Sequence, residues 1–228
     1  MARCLVTLNG QTEDLKVLSA LQSTDWHVVC QDGTYYLTSA LLDLARDADD
    51  ALQFAREIIP IINGAAQIYL ANFEPVHLGG AAIILHDDGT KQVAQSIAGR
   101  ARIRHSVPPA DIKSAPPLDT WMATAYKDPY IEKALNLWGS LEHNWRNLYL
   151  VLEVMVDTAS DLSAFLAQAW LPDKSGIELF RRTANNFRAL GPDARHGTEQ
   201  YKPPPKPMAL PDARILIRRT LQAWLRQR

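Results

Sequence analysis

Two pairs of tandem prolines, Pro108-Pro109 and Pro116-Pro117, interrupt this chain near its middle. Neither a helix nor a central strand runs through such a pair, because proline lacks the amide hydrogen both ladders need and its ring clashes with a preceding helical turn. The 228 residues are thereby divided into two stretches, each long enough to bury a core of its own. The prolines predict an α/β domain over residues 1–107, a Pro-rich linker over 108–117 and a helical domain over 118–228.

The first stretch carries strand and hairpin signals. Met1 to Asn9 alternates weakly and reads as an edge strand. Trp26 to Gln31 and Thr34 to Thr38 flank Asp32-Gly33, a dipeptide suited to the positive φ angles of a two-residue hairpin turn. After an acidic loop at Asp47, Asp49 and Asp50, the residues Ala51, Ala55, Ile58, Ile62, Ala65 and Tyr69 keep the three-and-four spacing of a buried helical face. Pro60 is expected to kink or split that helix. His77 to His86 and Lys91 to His105 read as a second hairpin, in which Arg100, Arg102 and Arg104 fall on one face of the strand. A solvated strand face is the plain reading of those arginines, and a phosphate-contacting patch is the sharper one.

Beyond the prolines the periodicity is helical. Leu141, Trp145, Leu148, Leu152 and Met155 mark one helix, with Ser140 as its expected cap. Ser175 to Glu178 has the form of a capping box and Gly191-Pro192 that of a stop, which predicts one helix from Gly176 to Leu190. On it Arg181, Asn185 and Arg188 stand at i, i+4 and i+7 and would share a face. The expected fold class is therefore α+β: a small antiparallel or mixed sheet with one long helix at the N-terminus, followed by an all-α helical bundle.

Charge divides the chain at a later point. Lys174 to Arg228 holds 12 Lys and Arg against four acids, a net of +8, while the remainder carries -9. Such a division fits either mutual attraction or an anionic partner such as nucleic acid. In the last helix Arg214, Arg218, Arg219, Arg226 and Arg228 are expected to point outward. The two cysteines, Cys4 and Cys30, show no metal-ligand or redox spacing, so neither a metal nor a cofactor is expected. No apolar run approaches a membrane span and no secretory signal is evident, which makes the cytoplasm the expected location.

The segment from Asn186 through Arg188 to Gly191-Pro192-Asp193-Ala194-Arg195-His196-Gly197 brings an Arg and a His close together. An imidazole can move a proton at a ribose 2'-hydroxyl while a guanidinium stabilises charge on the phosphate, which suffices for RNA cleavage without a metal. The plain alternative is a capped loop, with the Arg195 and His196 side chains on carbonyls left open by the helix end. This segment, followed by the Pro-rich stretch Lys202 to Pro207 and a final helix, resembles the C-terminal region of HEPN-superfamily proteins of the abortive-infection type. The resemblance implies a helical, often dimeric protein, and a metal-independent endoribonuclease of prokaryotic antiviral defence, with Arg188 and His196 as the catalytic pair. Arg181, Asn185, Arg195 and Arg218 would then be its RNA-binding residues. Two positions depart from the family pattern: seven residues separate Arg188 from His196, and Ala189 stands where a polar residue is usual. A homodimer through the helical domain is one expected assembly. The alternative function is a non-catalytic interaction or dimerisation module whose N-terminal domain binds a protein partner or a small ligand.

Overall fold

A computed structural model describes residues 3–21, 23, 25–70, 72–86, 88–95, 116–140, 142–197 and 202–228. The chain divides into two compact units, Met1–Ala123 and Thr124–Arg228.

The first unit is built on five strands: β1 (Arg3–Asn9), β2 (Trp26–Gln31), β3 (Thr34–Ser39), β4 (His77–Leu85) and β5 (Lys91–Gln95). They lie in the order β2-β3-β1-β4-β5, and every neighbouring pair is antiparallel. Two helices accompany them, α1 (Thr12–Ala20) and α2 (Ala48–Tyr69). The expectation of a small antiparallel or mixed sheet with one long helix is thus corrected: among the described residues the sheet has five strands, every pair antiparallel, and two helices accompany it.

The largest difference concerns β1, which is central and not an edge. Its weak alternation has a simple cause: Cys4, Leu5, Val6 and Leu8 are all buried, so both faces of this strand lie against other groups. On one face Cys4, Val6, Leu37, Val28, Ala82 and Ile84 follow each other across the registered pairs and are all buried. Helix α2 contacts β1 and β4 and brings buried Ala55, Ile58, Ile62 and Ala65 to that core. Asn63 fastens it, donating to Val76 O at 2.8 Å and accepting from Val76 N at 2.9 Å. Pro60 does not split this helix, which runs unbroken for 22 residues. The loss of one backbone hydrogen bond is outweighed by buried isoleucines on both sides, Ile58, Ile59, Ile61 and Ile62.

Local chemistry sets the turns. Asp32 and Gly33 have φ of 50° and 77°, the paired positive angles of the hairpin turn. At the irregularity between β1 and β4, Thr7 Oγ1 accepts from Ala81 N at 2.9 Å and donates to Ala81 O at 3.0 Å. A Cβ at Gly79 would lie 2.7 Å from that hydroxyl, so only glycine permits the approach. Beyond Gln95, the expected continuation of the last strand with Arg100, Arg102 and Arg104 lies outside the described residues. So does the linker up to residue 115.

Helix α3 (Pro116–Ala125) spans the division between the units. The second unit contains α4 (Pro129–Ser140), α5 (Trp145–Asp157), α6 (Leu162–Leu166), α7 (Lys174–Ala184), α8 (Phe187–Leu190) and α9 (Leu210–Leu225). Helix α5 contacts α4, α7 and α9 and is the spine of its core, with Leu148, Val151, Leu152 and Met155 buried. Several helices are short and separated by capped breaks, so the expected all-α bundle is corrected to a set of short and longer helices in which the single helix expected from Gly176 to Leu190 is two. Ser140 ends α4, its hydroxyl on Asn136 O at 2.6 Å, and Asn144 caps α5 by accepting from Asn147 N. Similarly, Asp173 and not Ser175 caps α7, accepting from Gly176 N at 2.8 Å. An aspartate carboxylate accepts more strongly than a serine hydroxyl and suits the positive end of a helix. Among the described residues, no helix is long and apolar enough to cross a membrane.

Candidate functional site

The helix expected from Gly176 to Leu190 breaks at Asn185-Asn186. Asn185 closes α7, its backbone N–H on Arg181 O, and buried Asn186 caps α8 by accepting from Ala189 N at 3.0 Å. Asparagine competes with the helical ladder through its own side chain, so two in succession favour a stop and a restart. The break removes the helical register that would have aligned Arg188 with Arg181 and Asn185. Arg188 sits on α8 with its side chain exposed, while Arg181 and Asn185 remain on α7.

Two interactions then hold the turn after α8 against α7 and α5. The backbone N–H of Arg195 donates to Ala184 O at 2.8 Å, filling a carbonyl left open by the end of α7. Arg146 on α5 donates from Nε to Ala194 O at 3.3 Å and from Nη2 to Pro192 O at 3.2 Å. Its guanidinium therefore clamps the turn from the other side.

The product is a cluster centred on Tyr149 of α5. The phenol oxygen accepts from Arg181 Nε at 3.3 Å and from Asn185 Nδ2 at 3.1 Å. The Tyr149 ring stacks on Phe180, which stacks in turn on Trp145, with centroids 5.9 and 5.8 Å apart. Over the Tyr149 ring lies the Arg195 guanidinium, 4.2 Å from the centroid. A cation over an aromatic face is attracted to its negative centre, so the ring fixes the plane and the position of the charge.

Arg195 makes two further contacts. Its Nη2 donates to Glu153 Oε1 at 2.5 Å, and its Nη1 lies 2.9 Å from His196 Nε2. A guanidinium has no acceptor, so in a hydrogen bond between them Arg195 donates and His196 Nε2 accepts. The expected side-chain caps on helix carbonyls are not what Arg195 and His196 form: the carbonyl bond comes from the Arg195 backbone, and the side chains pair with Glu153 and with each other.

Within the cluster, Asn185 is 6% exposed and its Oδ1 has no hydrogen-bond partner among the described residues. Exchanging the amide oxygen and nitrogen would leave the other atom in the same position, so one buried polar atom has no protein partner among the described residues in either orientation. The terminal nitrogens of Arg181 likewise carry no partner among the described residues.

The structure therefore joins Arg181, Asn185, Arg195 and His196 through Tyr149 and Glu153. Arg218 lies on α9, half-buried, and burial pulls its pKa below the usual guanidinium range. Elsewhere on the basic face, Arg214 donates to His143 O at 2.8 Å and Arg228 lies over Trp224, 3.6 Å from Asp128. That face is partly consumed by structural contacts. Among the described residues, no group of three or more His, Cys, Asp or Glu side chains could hold a metal ion.

Sequence reasoning missed Tyr149, Glu153 and the clamping role of Arg146. Their signal was a row of polar groups at i, i+3 and i+7 on α5, flanking its buried stripe. No protein-family model matches the chain, and neither does any curated protein or solved structure.

Proposed function

We propose that the helical unit binds RNA at the Tyr149-centred cluster, with Arg181 and Arg195 on the phosphate backbone and His196 beside them. The observation that carries this reading is the 2.9 Å contact between the Arg195 guanidinium and His196 Nε2 on a half-exposed turn. A phosphate that draws the guanidinium onto its own oxygens leaves Nε2 with an open lone pair, placed to accept a proton from a 2'-hydroxyl. This is the chemistry of metal-independent RNA cleavage, and in it Arg195 takes the part that the sequence pattern had suggested for Arg188. The +8 charge of Lys174 to Arg228 supports the choice of a polyanion over a neutral ligand.

The test combines retention and cleavage of labelled single-stranded RNA in the presence of a chelator. The wild-type chain is expected to retain RNA and to cut it slowly. Arg195→Ala should lose retention, and His196→Ala should retain RNA but lose cleavage. Failure of the wild type to retain RNA at low salt rules the reading out. Retention by the wild type and His196→Ala but not by Arg195→Ala, with no cutting by any of them, reduces the site to binding alone.

A further inference from the structure

Glu153 stands out in the cluster because nothing in the packing requires it. Its carboxylate bonds one group among the described residues, Arg195 Nη2 at 2.5 Å, and its side chain is 43% exposed. The partner is 29% exposed. An ion pair this open to water contributes little to stability.

Nor does Arg195 depend on the pair for its position. Three other contacts place it: the backbone bond to Ala184 O, the face of Tyr149 and the contact with His196 Nε2. Removing the carboxylate would leave the guanidinium where it is, with one edge open. A carboxylate and a phosphate present similarly spaced oxygens to a guanidinium, and both accept charge-assisted bonds from it.

We infer that Glu153 is an internal competitor for the phosphate site: it occupies the edge of Arg195 that an RNA phosphate would take, and RNA must displace it. This inference rests on the RNA-binding reading and adds the residue that sets its affinity. A held carboxylate raises the threshold for binding, because the phosphate contact at Arg195 must first break a short ionic bond and then sit beside a displaced negative charge. The exchange is between two anions on one cation, so it needs no change in the fold.

The measurement is the affinity of the full-length chain for a short, fluorescently labelled single-stranded RNA, with the wild type, Glu153→Gln, Glu153→Ala and Arg195→Ala side by side. Glu153→Gln keeps the side chain's shape and removes its charge. It is expected to bind RNA about ten-fold more tightly than the wild type, and its dependence on salt should steepen by about one ion. Glu153→Ala should shift affinity in the same direction, which separates loss of charge from any new bond made by the amide. Arg195→Ala should bind more weakly than the wild type. If both Glu153 variants bind no better than the wild type while Arg195→Ala binds worse, the competitor role is overturned and the RNA reading stands. If the wild type and all three variants fail to bind, or all bind alike, the RNA reading falls and takes the competitor role with it. Thermal melting of each variant confirms that the fold is intact.

Discussion

Asp14 illustrates how a single side chain carries a pH response. It is 4% exposed on α1 and accepts from Glu74 N at 3.3 Å, and burial pushes its pKa up to about 6. In the unfolded chain the carboxyl returns to the ordinary value near 3.8. Because the folded value is the higher one, the neutral form favours folding. Stability is greatest below the unfolded pKa, is lost as pH rises between the two values, and stays level above the higher one. A difference of this size corresponds to about 2 to 3 kcal/mol at most. Asp14→Asn keeps an acceptor for Glu74 N and removes the charge. The variant is therefore expected to melt higher than the wild type at pH 7 to 8, with the gap closing toward pH 4, as thermal unfolding across that range would report. A gap independent of pH would mean that the carboxylate is solvated well enough to ionise freely.

At the scale of elements, the break between α7 and α8 shapes the candidate site more than any single charged residue does. Without it the helix would continue past Ala184 and that carbonyl would be bonded within the helix, unable to receive Arg195. Asn186 holds the restart, fully buried, with its side chain on Ala189 N. Asn186→Ala is expected to cost about 1 to 2 kcal/mol, in keeping with the loss of a helix cap. Because the turn follows directly, the same variant should weaken RNA retention. A melting temperature equal to the wild type's would show that α8 does not depend on this cap. The break was only half legible. Gly191-Pro192 marked the final stop, but Asn185 and Asn186 fit a helical face as well as a cap, and packing decided between them. On the sheet side, Asp32-Gly33 was sufficient to locate a hairpin because a two-residue turn is a local property of backbone angles.

For the molecule as a whole, the net charge of -1 conceals two regions of opposite sign. If the positive region meets a phosphate backbone, binding must release counterions. Three to four phosphate contacts on a single strand would give a log affinity that falls against log salt with a slope of about -2 to -3. Titration of labelled RNA at several salt concentrations measures this directly. A slope near zero would mean that the +8 region is not what holds the RNA.

Local chemistry determined part of what was read from the residues alone: the turn at Asp32-Gly33 and the amphipathic period of α2. Each depends on groups within one or two turns of chain. The tertiary structure decided whatever depends on distant partners. It made β1 central by packing both of its faces, and it kept α2 whole across Pro60. It also placed Tyr149, Glu153 and Arg146 around a turn more than forty residues further along. A pattern of polar residues on one helix face does not specify which charge will come to lie over it. That choice belongs to the packing of α5 against α7, where burial of Phe180 and Trp145 fixes the ring that Arg195 then covers.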